Sequence, residues 1–390
     1  MVINNEKNVN DLYTIDDVFS VSGEYGIVNQ IEFMGRSYAG ESLSGYRVVY
    51  PNDIVYTKSP LKSNPYGIVK ANRTDKSGIV SVLYSIYHCK ENVVPYYVEL
   101  YFALDVNLNN YLRPLVHIGP KHNMLISDAH VLDGLIPFPP IGEQKKIAEI
   151  LATQDRVIEL KEKLIAEKQS QKKYLMSVLL GDDFKKPFKL NGVIIDKKKW
   201  EKKKLGDICD TFSGGTPSRS HPEYFNGDIP WIKSGELNQE NIYETEEFLT
   251  KKGIESSSAK MVKKGTLLIA MYGATAGVLA VSHIDAAINQ AILALIPNID
   301  INPFYLKSTI ANQIDVAVHR LVQGGQPNFN ASIINAFELR LPTLPEQKAI
   351  ADVLSAADEE ISLLQKNLEQ EKLKKKSLMQ LLLTGLVRVA

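Results

Sequence analysis

Features that would assign this sequence of 390 residues to a familiar class are scarce. Its two cysteines, Cys89 and Cys209, stand outside any CxxC or Cys/His spacing, so neither a disulfide framework nor a zinc site is predicted. Basic and acidic residues are equal in number at 45 each, so net charge gives no argument for nucleic-acid binding. The amino terminus has no apolar core of the kind found in signal peptides. We therefore expect a cytoplasmic protein.

The sequence also has few long apolar segments, and only one uncharged stretch is long enough to be compared with a membrane-spanning helix. Residues 265–282 (GTLLIAMYGATAGVLAVS) carry no charge, but three glycines interrupt them and two of these bracket GATAG. A membrane-spanning helix needs about 20 predominantly apolar residues. The stretch instead predicts two buried strands, at 266–272 and 278–281. No membrane partner is expected.

Catalytic signatures are absent or incomplete. The sequence has no GxxxxGK[ST], no HExxH and no GxSxG, and no GxGxxG between a strand and a helix. Asn64-Pro65-Tyr66 lacks one proline of the Asn-Pro-Pro-Tyr motif of amino-methyltransferases. Phe212-Ser213-Gly214-Gly215 is an incomplete form of their Phe-x-Gly-x-Gly cofactor loop. We predict no catalytic residue, no metal site and no cofactor site on this chain.

What the sequence does contain is a long internal repeat. PPIGEQKKIAEIL at 139–151 returns as PTLPEQKAIADVL at 342–354, an offset of 203 residues. The alignment of 139–180 with 342–383 has no gap and 17 identities in 42 positions. A repeat of this length indicates two copies of one structural unit.

Both copies have the apolar spacing of a long helix. Apolar residues of the second copy alternate at four and three residues from Ile350 to Leu368, which is a heptad seam, and Leu378 and Leu382 resume it. Polar residues interrupt the seam of the first copy, namely Gln154, Lys161, Lys168 and Lys172. Each helix would measure about 57 Å at 1.5 Å per residue. Because such a helix needs a partner for its apolar face, we expect the two to pair antiparallel as a coiled coil.

The rest of the chain is divided by these helices into two globules of mixed α/β character. The predicted boundaries are 1–138 for the first globule, 139–184 for the first helix, 185–341 for the second globule and 342–390 for the second helix. A helix is predicted at 303–318. Nine lysines and two acids at 185–204 indicate either a solvated linker or a phosphate-contacting segment. The predicted fold class is α+β, with the two globules separated by the helical pair.

This pattern resembles the specificity subunits of type I restriction-modification systems. The resemblance lies in the Pro-Pro, Glu-Gln and Ile-Ala entry into both helices. It extends to phrases of the second globule, namely FSGGTPSR at 212–219, DIPWIKSGEL at 228–237, LLIAMYGATAG at 267–277, AAINQAI at 286–292 and QGGQPNFN at 323–330. The first globule departs from these phrases, since 77–84 replaces the Ala-Ile-Asn-Gln stretch.

The resemblance implies a molecule with a pseudo-twofold internal repeat and a non-catalytic function. Each globule would be a target-recognition domain for one half of an asymmetric, bipartite site in double-stranded DNA. The helices would set the distance between the halves and dock two DNA methyltransferase (modification) subunits. S-adenosylmethionine would belong to those subunits, and ATP to the restriction-translocation subunits.

Candidate contact residues follow from side-chain chemistry together with family position. Glycines 214 and 215 would let backbone approach a phosphate. The predicted DNA contacts are Lys58, Lys62, Tyr66, Asn72, Arg73 and Lys76 in the first globule, and Thr216, Ser218, Arg219, Lys233, Tyr272, Gln290, Gln326 and Asn328 in the second. The predicted partner contacts on the helices are Glu143, Gln144, Ile147, Glu346, Gln347 and Ile350.

Two other classes of protein remain open on the sequence alone. A fused DNA adenine methyltransferase would require intact catalytic and cofactor motifs, whereas both are incomplete here. A coiled-coil scaffold without DNA specificity would account for the helices, but it would not need two globules at a period of 203 residues.

Overall fold

The structure is a computed structural model. It describes residues 1–8, 12–40, 42–58, 64–118, 124–181, 186–321 and 328–389. The chain forms two compact units, Met1–Lys163 with Lys366–Ala390, and Leu164–Gln365. Each unit therefore contains one globule and a part of both long helices.

The two repeat copies form the long helices Ile141–Leu180 and Leu344–Leu383, of 40 residues each. Within the first unit they run antiparallel, since Asp155 pairs with Lys375 at 2.5 Å while Lys161, further along, pairs with the earlier Glu371 at 3.3 Å. Within the second unit Lys168 pairs with Glu360 at 2.7 Å. The predicted antiparallel helical pair is confirmed.

The polar interruptions of the first seam have acidic partners on the other helix. Gln154 is 5% exposed and donates to the Glu371 carboxylate at 2.8 Å, and Lys161 pairs with the same acid. In the second unit Lys172 forms an ion pair with Asp358. Apolar contact between the helices is thus supplemented by charge-assisted contacts at the positions where the heptad pattern fails.

The globule of the first unit is built on an antiparallel sheet. Its core includes Tyr56 and Tyr87 of the sheet, packed on Val98 and Leu108 of two short helices. The sheet strands in spatial order are Val2–Asn4, Tyr84–His88, Ile54–Thr57 and Val69–Ala71. Further strand pairs are Phe19–Ser22 with Gly26–Asn29, Arg47–Val49 with Gly78–Val80, and His117–Ile118 with Met124–Leu125. The α-helices are Gln30–Met34, Pro95–Phe102 and Asp105–Leu112, and the 3-10 helices are Ile15–Asp17 and His130–Asp133.

The globule of the second unit contains a five-stranded sheet and a four-stranded sheet. One has the strand order Cys209–Ser213, Ile292–Pro297, Leu267–Ala270, Leu279–Ser282 and Asn241–Ile242. The other has the order Glu247–Leu249, Phe225–Ile232, Ala286–Ile288 and Lys260–Val262. The α-helices are Leu205–Ile208, Lys251–Glu255, Pro303–Leu321 and Ala331–Asn335, and the 3-10 helices are Lys197–Lys199, Pro222–Tyr224 and Ser234–Gln239. The strands predicted within 265–282 and the helix predicted from residue 303 are confirmed.

The lysine-rich segment folds instead of forming a linker. Phe188–Leu190 and Val193–Ile195 form a hairpin, and Glu201–Lys204 pairs with Glu338–Leu341. Lys197 is 5% exposed and donates to the carbonyls of Val178 and Gly181 at 2.6 Å, at the end of the first long helix. The linker interpretation is therefore wrong for 186–204, because apolar residues alternating with the lysines pack on the helices.

Candidate nucleic-acid interface

Gln144 and Gln347, predicted as partner contacts, make equivalent contacts within their own units. Gln144 Nε2 donates to the carbonyl of Pro139 at 2.9 Å, and its Oε1 accepts from the backbone N–H of Val94 at 2.9 Å. Gln347 Nε2 donates to the carbonyl of Pro342 at 3.0 Å, and its Oε1 accepts from the N–H of Asn302 at 2.9 Å. In both units the glutamine joins the start of a long helix to the residue preceding a proline-initiated helix.

The carboxylates of the adjacent glutamates also accept hydrogen bonds from their own units. Glu143 accepts from Arg388 Nε at 2.7 Å and Nη2 at 2.5 Å, and these bonds lower the pKa of its carboxyl. Glu346 accepts from the indole Nε1 of Trp200 at 3.1 Å and from the N–H of Asp196 at 3.1 Å. In each unit the chain that follows one long helix is bound by the glutamate that opens the other.

The isoleucines complete these junctions, with Ile147 1% exposed and Ile350 fully buried. All six residues predicted to bind a partner are thus buried and used inside their own unit. These internal contacts account for the repeated sequence, and they leave little of the six side chains accessible to a partner.

Lys58, a predicted DNA contact of the first globule, lies in an enclosed charge cluster. Its Nζ pairs with the Asp128 carboxylate, which also binds Arg47 Nη1 at 2.5 Å and Ser85 Oγ at 2.7 Å. Burial raises the pKa of Asp128, but the bonds from Lys58, Ser85 and Arg47 outweigh burial and lower it to about 2. The side chains of Lys58 and Arg47 are 19% and 20% exposed, so the cluster has the character of a structural ion pair.

The other candidates of the first globule lie in different environments. Asn72 is 1% exposed and forms a turn by binding the Lys76 carbonyl and the Thr74 hydroxyl. Arg73 stacks over the Tyr96 ring at 4.0 Å, and Lys76 pairs with Glu32 at the surface. Tyr66 is half-buried against the core, and Lys62 lies outside the described residues.

In the second globule, the glycine pair serves close packing of the chain. A Cβ at Gly214 would lie 1.8 Å from the Ile288 carbonyl oxygen, and one at Gly215 would lie 2.1 Å from Ser258 Oγ. The Gly215 N–H also donates to the Ile288 carbonyl at 3.1 Å. The prediction that these glycines free backbone for a phosphate is wrong, because Ile288 of a neighbouring strand and Ser258 occupy the space.

The residues after the glycines reach the surface. Thr216 and Gln290 are exposed and hydrogen-bonded to each other, and Ser218 bonds Ser220 at 2.7 Å. The structure therefore brings together two predicted contacts, Thr216 and Gln290, that are 74 residues apart in the chain. Both side chains retain hydrogen-bonding capacity that could serve a base edge or a phosphate.

Arg219 and Lys233 converge on one carboxylate that the sequence reading had not singled out. Glu247 lies 2.8 Å from Arg219 Nη2 and 3.0 Å from Lys233 Nζ. Lys233 also pairs with Glu246 at 3.0 Å, and Glu247 followed by Glu246 raises its pKa. A run of acids at 244–247 is the only sequence signal for this cluster, and acids are not an obvious choice for a surface that binds DNA.

Tyr272 and Asn328 line one surface pocket of about 770 Å³, with Phe329 buried beneath them. Tyr272 is 38% exposed, and the Phe329 N–H donates to the Met271 carbonyl at 2.7 Å. Gln326, predicted beside them, lies outside the described residues.

Comparison with known proteins finds a similar family for the second globule and most of the second long helix. Residues 197–373 match the family described as the type I restriction modification DNA specificity domain. The match covers 177 of the 390 residues, and this part of the chain is similar to that family. The matched region contains the Arg219–Glu247 cluster, the pocket of Tyr272 and most of the second long helix.

Three curated specificity subunits are similar to this chain. The MjaIX subunit of Methanocaldococcus jannaschii is 32% identical over 167 residues, 42% of this chain and 38% of that protein. The EcoR124I/EcoR124II subunit of Escherichia coli is 27% identical over 236 residues, 57% and 55% of the two chains. The putative MjaX subunit of M. jannaschii is 28% identical over 311 residues, 77% and 70% of the two chains. The chain thus spans 38% and 55% of the length of the first two of these relatives.

Solved structures share the fold at low sequence identity. A chain described under "Structural basis underlying complex assembly and conformational transition of the type I R-M system" has a TM-score of 0.62 and 19% identity, over 98% of this chain and 94% of that chain. The type I specificity subunit from M. genitalium has a TM-score of 0.53 and 14% identity, over 97% and 92%. These likenesses concern the fold, an α+β fold with two long helices.

Neither a metal site nor a membrane span is found in the described part of this chain. No group of three or more His, Cys, Asp or Glu residues there could hold a metal ion. No helix among those residues combines the length and apolar content needed to cross a membrane. Burial raises the pKa of both thiols, Cys89 and Cys209, to about 11, which keeps them protonated and unreactive at neutral pH.

Proposed function

We propose that the chain is the sequence-reading, non-catalytic subunit of a type I restriction-modification complex. Its two globules read the two halves of an asymmetric, bipartite site in double-stranded DNA. The helical pair connects the globules and docks two DNA methyltransferase subunits, while restriction-translocation subunits join the assembled complex. S-adenosylmethionine and ATP bind to those partners.

The observation that carries this proposal is the repeated junction at the start of each long helix. Gln144 and Gln347 make the same pair of contacts in two units whose globules have different strand orders. Equal junctions suit a protein that presents two equivalent surfaces to two copies of one partner. Unequal globules suit the recognition of two different DNA sequences.

The docking surface proposed here differs from the six buried residues at the helix starts. Exposed apolar side chains occur along the helices, and Leu160 and Leu363 occupy equivalent repeat positions at 49% and 60% exposure. Because an exposed leucine gains free energy when a partner covers it, these positions are better anchors than the occupied Glu143 or Glu346.

The proposal is tested by expressing the chain with its modification subunit and mapping methylated bases at single-base resolution. We expect one bipartite motif with two unequal halves and a fixed gap. Replacing residues 1–138 by the corresponding globule of a relative should change one half only. Methylation that is absent, unspecific, or changed in both halves by this replacement would contradict the proposal.

A further inference from the structure

The Arg219 side chain is both held and exposed. Its guanidinium carbon lies 4.4 Å from the ring centroid of Phe225 and 5.6 Å from that of Trp231, while Nη2 pairs with Glu247 at 2.8 Å. The side chain is nevertheless 59% exposed. One face and one edge of the guanidinium plane are therefore fixed by protein, and the rest of its N–H donors have no partner among the described residues.

The support beneath Arg219 is itself anchored. Glu247 also binds Lys233, whose side chain is only 27% exposed. The buried carboxylate of Glu236 accepts from the backbone N–H of Lys233 at 2.6 Å and of Glu246 at 2.8 Å. The two chain segments that carry Lys233 and Glu247 are thereby tied together, which fixes the position of the carboxylate that orients Arg219.

Other cations differ from Arg219. Lys252 combines a carboxylate, Glu223 at 3.5 Å, with an aromatic ring, Tyr224 at 5.8 Å, but its ammonium has no planar fork. Arg47 has a carboxylate partner, but it is enclosed at 20% exposure. Lys263 pairs with Asp285 at 2.8 Å and is 86% exposed, but its pairing involves no aromatic ring and its ammonium has no planar fork. A rigid, planar and accessible guanidinium is the group that matches guanine O6 and N7 in the major groove. A phosphate contact would not need an orienting acid, and the negative charge of Glu247 would weaken it.

We propose that Arg219 reads a guanine in the half-site recognised by the second globule, with Glu247 as the positioning residue that orients its guanidinium. Phe225 supports the guanidinium from one face. This inference rests on the proposed function, because it assumes that the second globule contacts DNA.

The test uses the assembled complex with its modification subunit. Initial methylation rates are measured on oligonucleotides in which every base pair of the target is replaced in turn, alongside binding at several salt concentrations. The variants are Arg219→Lys, which keeps the charge, Arg219→Ala, and Glu247→Gln, which keeps the size of the positioning residue. Lys263→Ala is the matched control, since it removes a surface cation from the same unit. Thermal melting of each variant confirms that it is folded.

We expect Arg219→Ala and Arg219→Lys to lower discrimination at one G·C pair by about tenfold or more, because one bidentate base contact is lost. Glu247→Gln should lower discrimination at the same pair by a smaller factor. Preferences at the other base pairs, and in the other half-site, should stay as in the parent. Lys263→Ala should leave the whole profile unchanged.

Two results would overturn the inference. Arg219→Lys could match the parent at every base pair, or Arg219→Ala could weaken binding to all sequences equally and reduce the salt slope by about one, which is the behaviour of a phosphate contact. Failure of the proposed function looks different, because the parent complex would then methylate no defined site. If the parent reads a bipartite site and Glu247→Gln alters another base pair than Arg219→Ala, the positioning role is wrong.

Discussion

Glu346 and Trp200 are joined by a hydrogen bond of 3.1 Å from the indole Nε1 to the carboxylate, although 146 residues separate them. Burial raises the pKa of Glu346, but the donors Trp200, Thr343 and Asp196 outweigh it and the net shift is downward. A lowered pKa means that the carboxylate stabilises the fold above its unfolded pKa, and that this contribution is lost as the pH falls through the folded value. The bond fixes the segment after one long helix to the start of the other.

Replacing Trp200 by phenylalanine should destabilise the second unit through the loss of this bond. Trp200→Phe keeps an aromatic ring but removes a donor from a buried carboxylate, a loss of about 1–3 kcal/mol. Trp231→Phe is the matched control, because the Trp231 Nε1 is buried and has no partner among the described residues. Urea unfolding followed by the fluorescence of the remaining tryptophan should show the larger loss for Trp200→Phe. Equal losses in the free energy of unfolding would mean that the lost ring volume, and not the hydrogen bond, causes the destabilisation.

The Asp128 cluster should make the first unit sensitive to acid. The folded pKa of Asp128, about 2, lies below the ordinary value of 3.8, so its stabilisation is present above about pH 4 and disappears as the pH falls toward 2. The full shift corresponds to about 2 kcal/mol, reduced by the partial exposure of the group. Asp128→Asn should therefore lower the free energy of unfolding at pH 7 and converge on the parent near pH 2. Asp285→Asn, at an exposed pair, serves as control, and a pH-independent difference for Asp128→Asn would refute the assignment.

Gln154 should matter more to the helical pair than an exposed glutamine does. It is 5% exposed and donates to both the carboxylate and the backbone carbonyl of Glu371. Gln154→Ala removes both of these bonds from a buried position, although Lys161 still pairs with Glu371, and we expect a loss of about 1–2 kcal/mol in the free energy of unfolding. Gln171, which is exposed and bonds only within its own helix, provides the control Gln171→Ala. The prediction fails if both variants unfold at the same urea concentration.

The helices should act as a ruler for the two DNA half-sites. Four residues inserted near Glu167 add about 6 Å and overshoot one helical turn by about 40°, so the apolar face nearly keeps its direction. At about 3.4 Å per base pair, the methylated motif should keep both halves and gain one to two base pairs between them. Inserting two residues should instead turn the apolar face away and abolish activity. An active four-residue variant with an unchanged gap would show that the helices only tether the globules.

The isolated chain should not bind S-adenosylmethionine. The glycines of Phe212-Ser213-Gly214-Gly215 pack directly on Ile288 and Ser258, which fills the space a cofactor loop would need. Calorimetric titration should give no stoichiometric heat, and methylation should appear only when the modification subunit is added. Tight binding of S-adenosylmethionine to the chain alone would instead support the fused methyltransferase, the alternative that the sequence left open.

Sequence reasoning recovered the elements that depend on local spacing. The repeat, the helical periodicity and the proline-initiated starts are properties of neighbouring residues, and they predict the starts of Ile141–Leu180 and Leu344–Leu383 to within two residues. The two helices end four and seven residues before the predicted boundaries, 184 and 390. It also located the seam interruptions at Gln154 and Lys161. It could not name Glu371 as their partner, because that pairing depends on the register between two antiparallel helices.

Side-chain roles were less predictable than elements. A repeated Glu-Gln pair shows that two positions have the same requirement, but it does not show whether they face a partner or the interior. In the fold Glu143 and Gln144 bind Arg388 and Val94 of their own unit. Lys58 has the sequence context of a surface cation, but the fold places the Asp128 carboxylate, 70 residues away in the chain, beside it.

The sequence by itself determined the repeat, the long helices and the family resemblance, because each is encoded over short distances along the chain. Only the tertiary structure decided which charged side chains are paired inside the fold and which remain accessible to solvent. Arg219 is oriented because the strand Phe225–Ile232 brings Phe225 and Trp231 beneath it and pairs with the strand Glu247–Leu249 that carries its acid. Strand pairing of this kind depends on burial of the whole sheet, so it could not be predicted from the spacing of neighbouring residues.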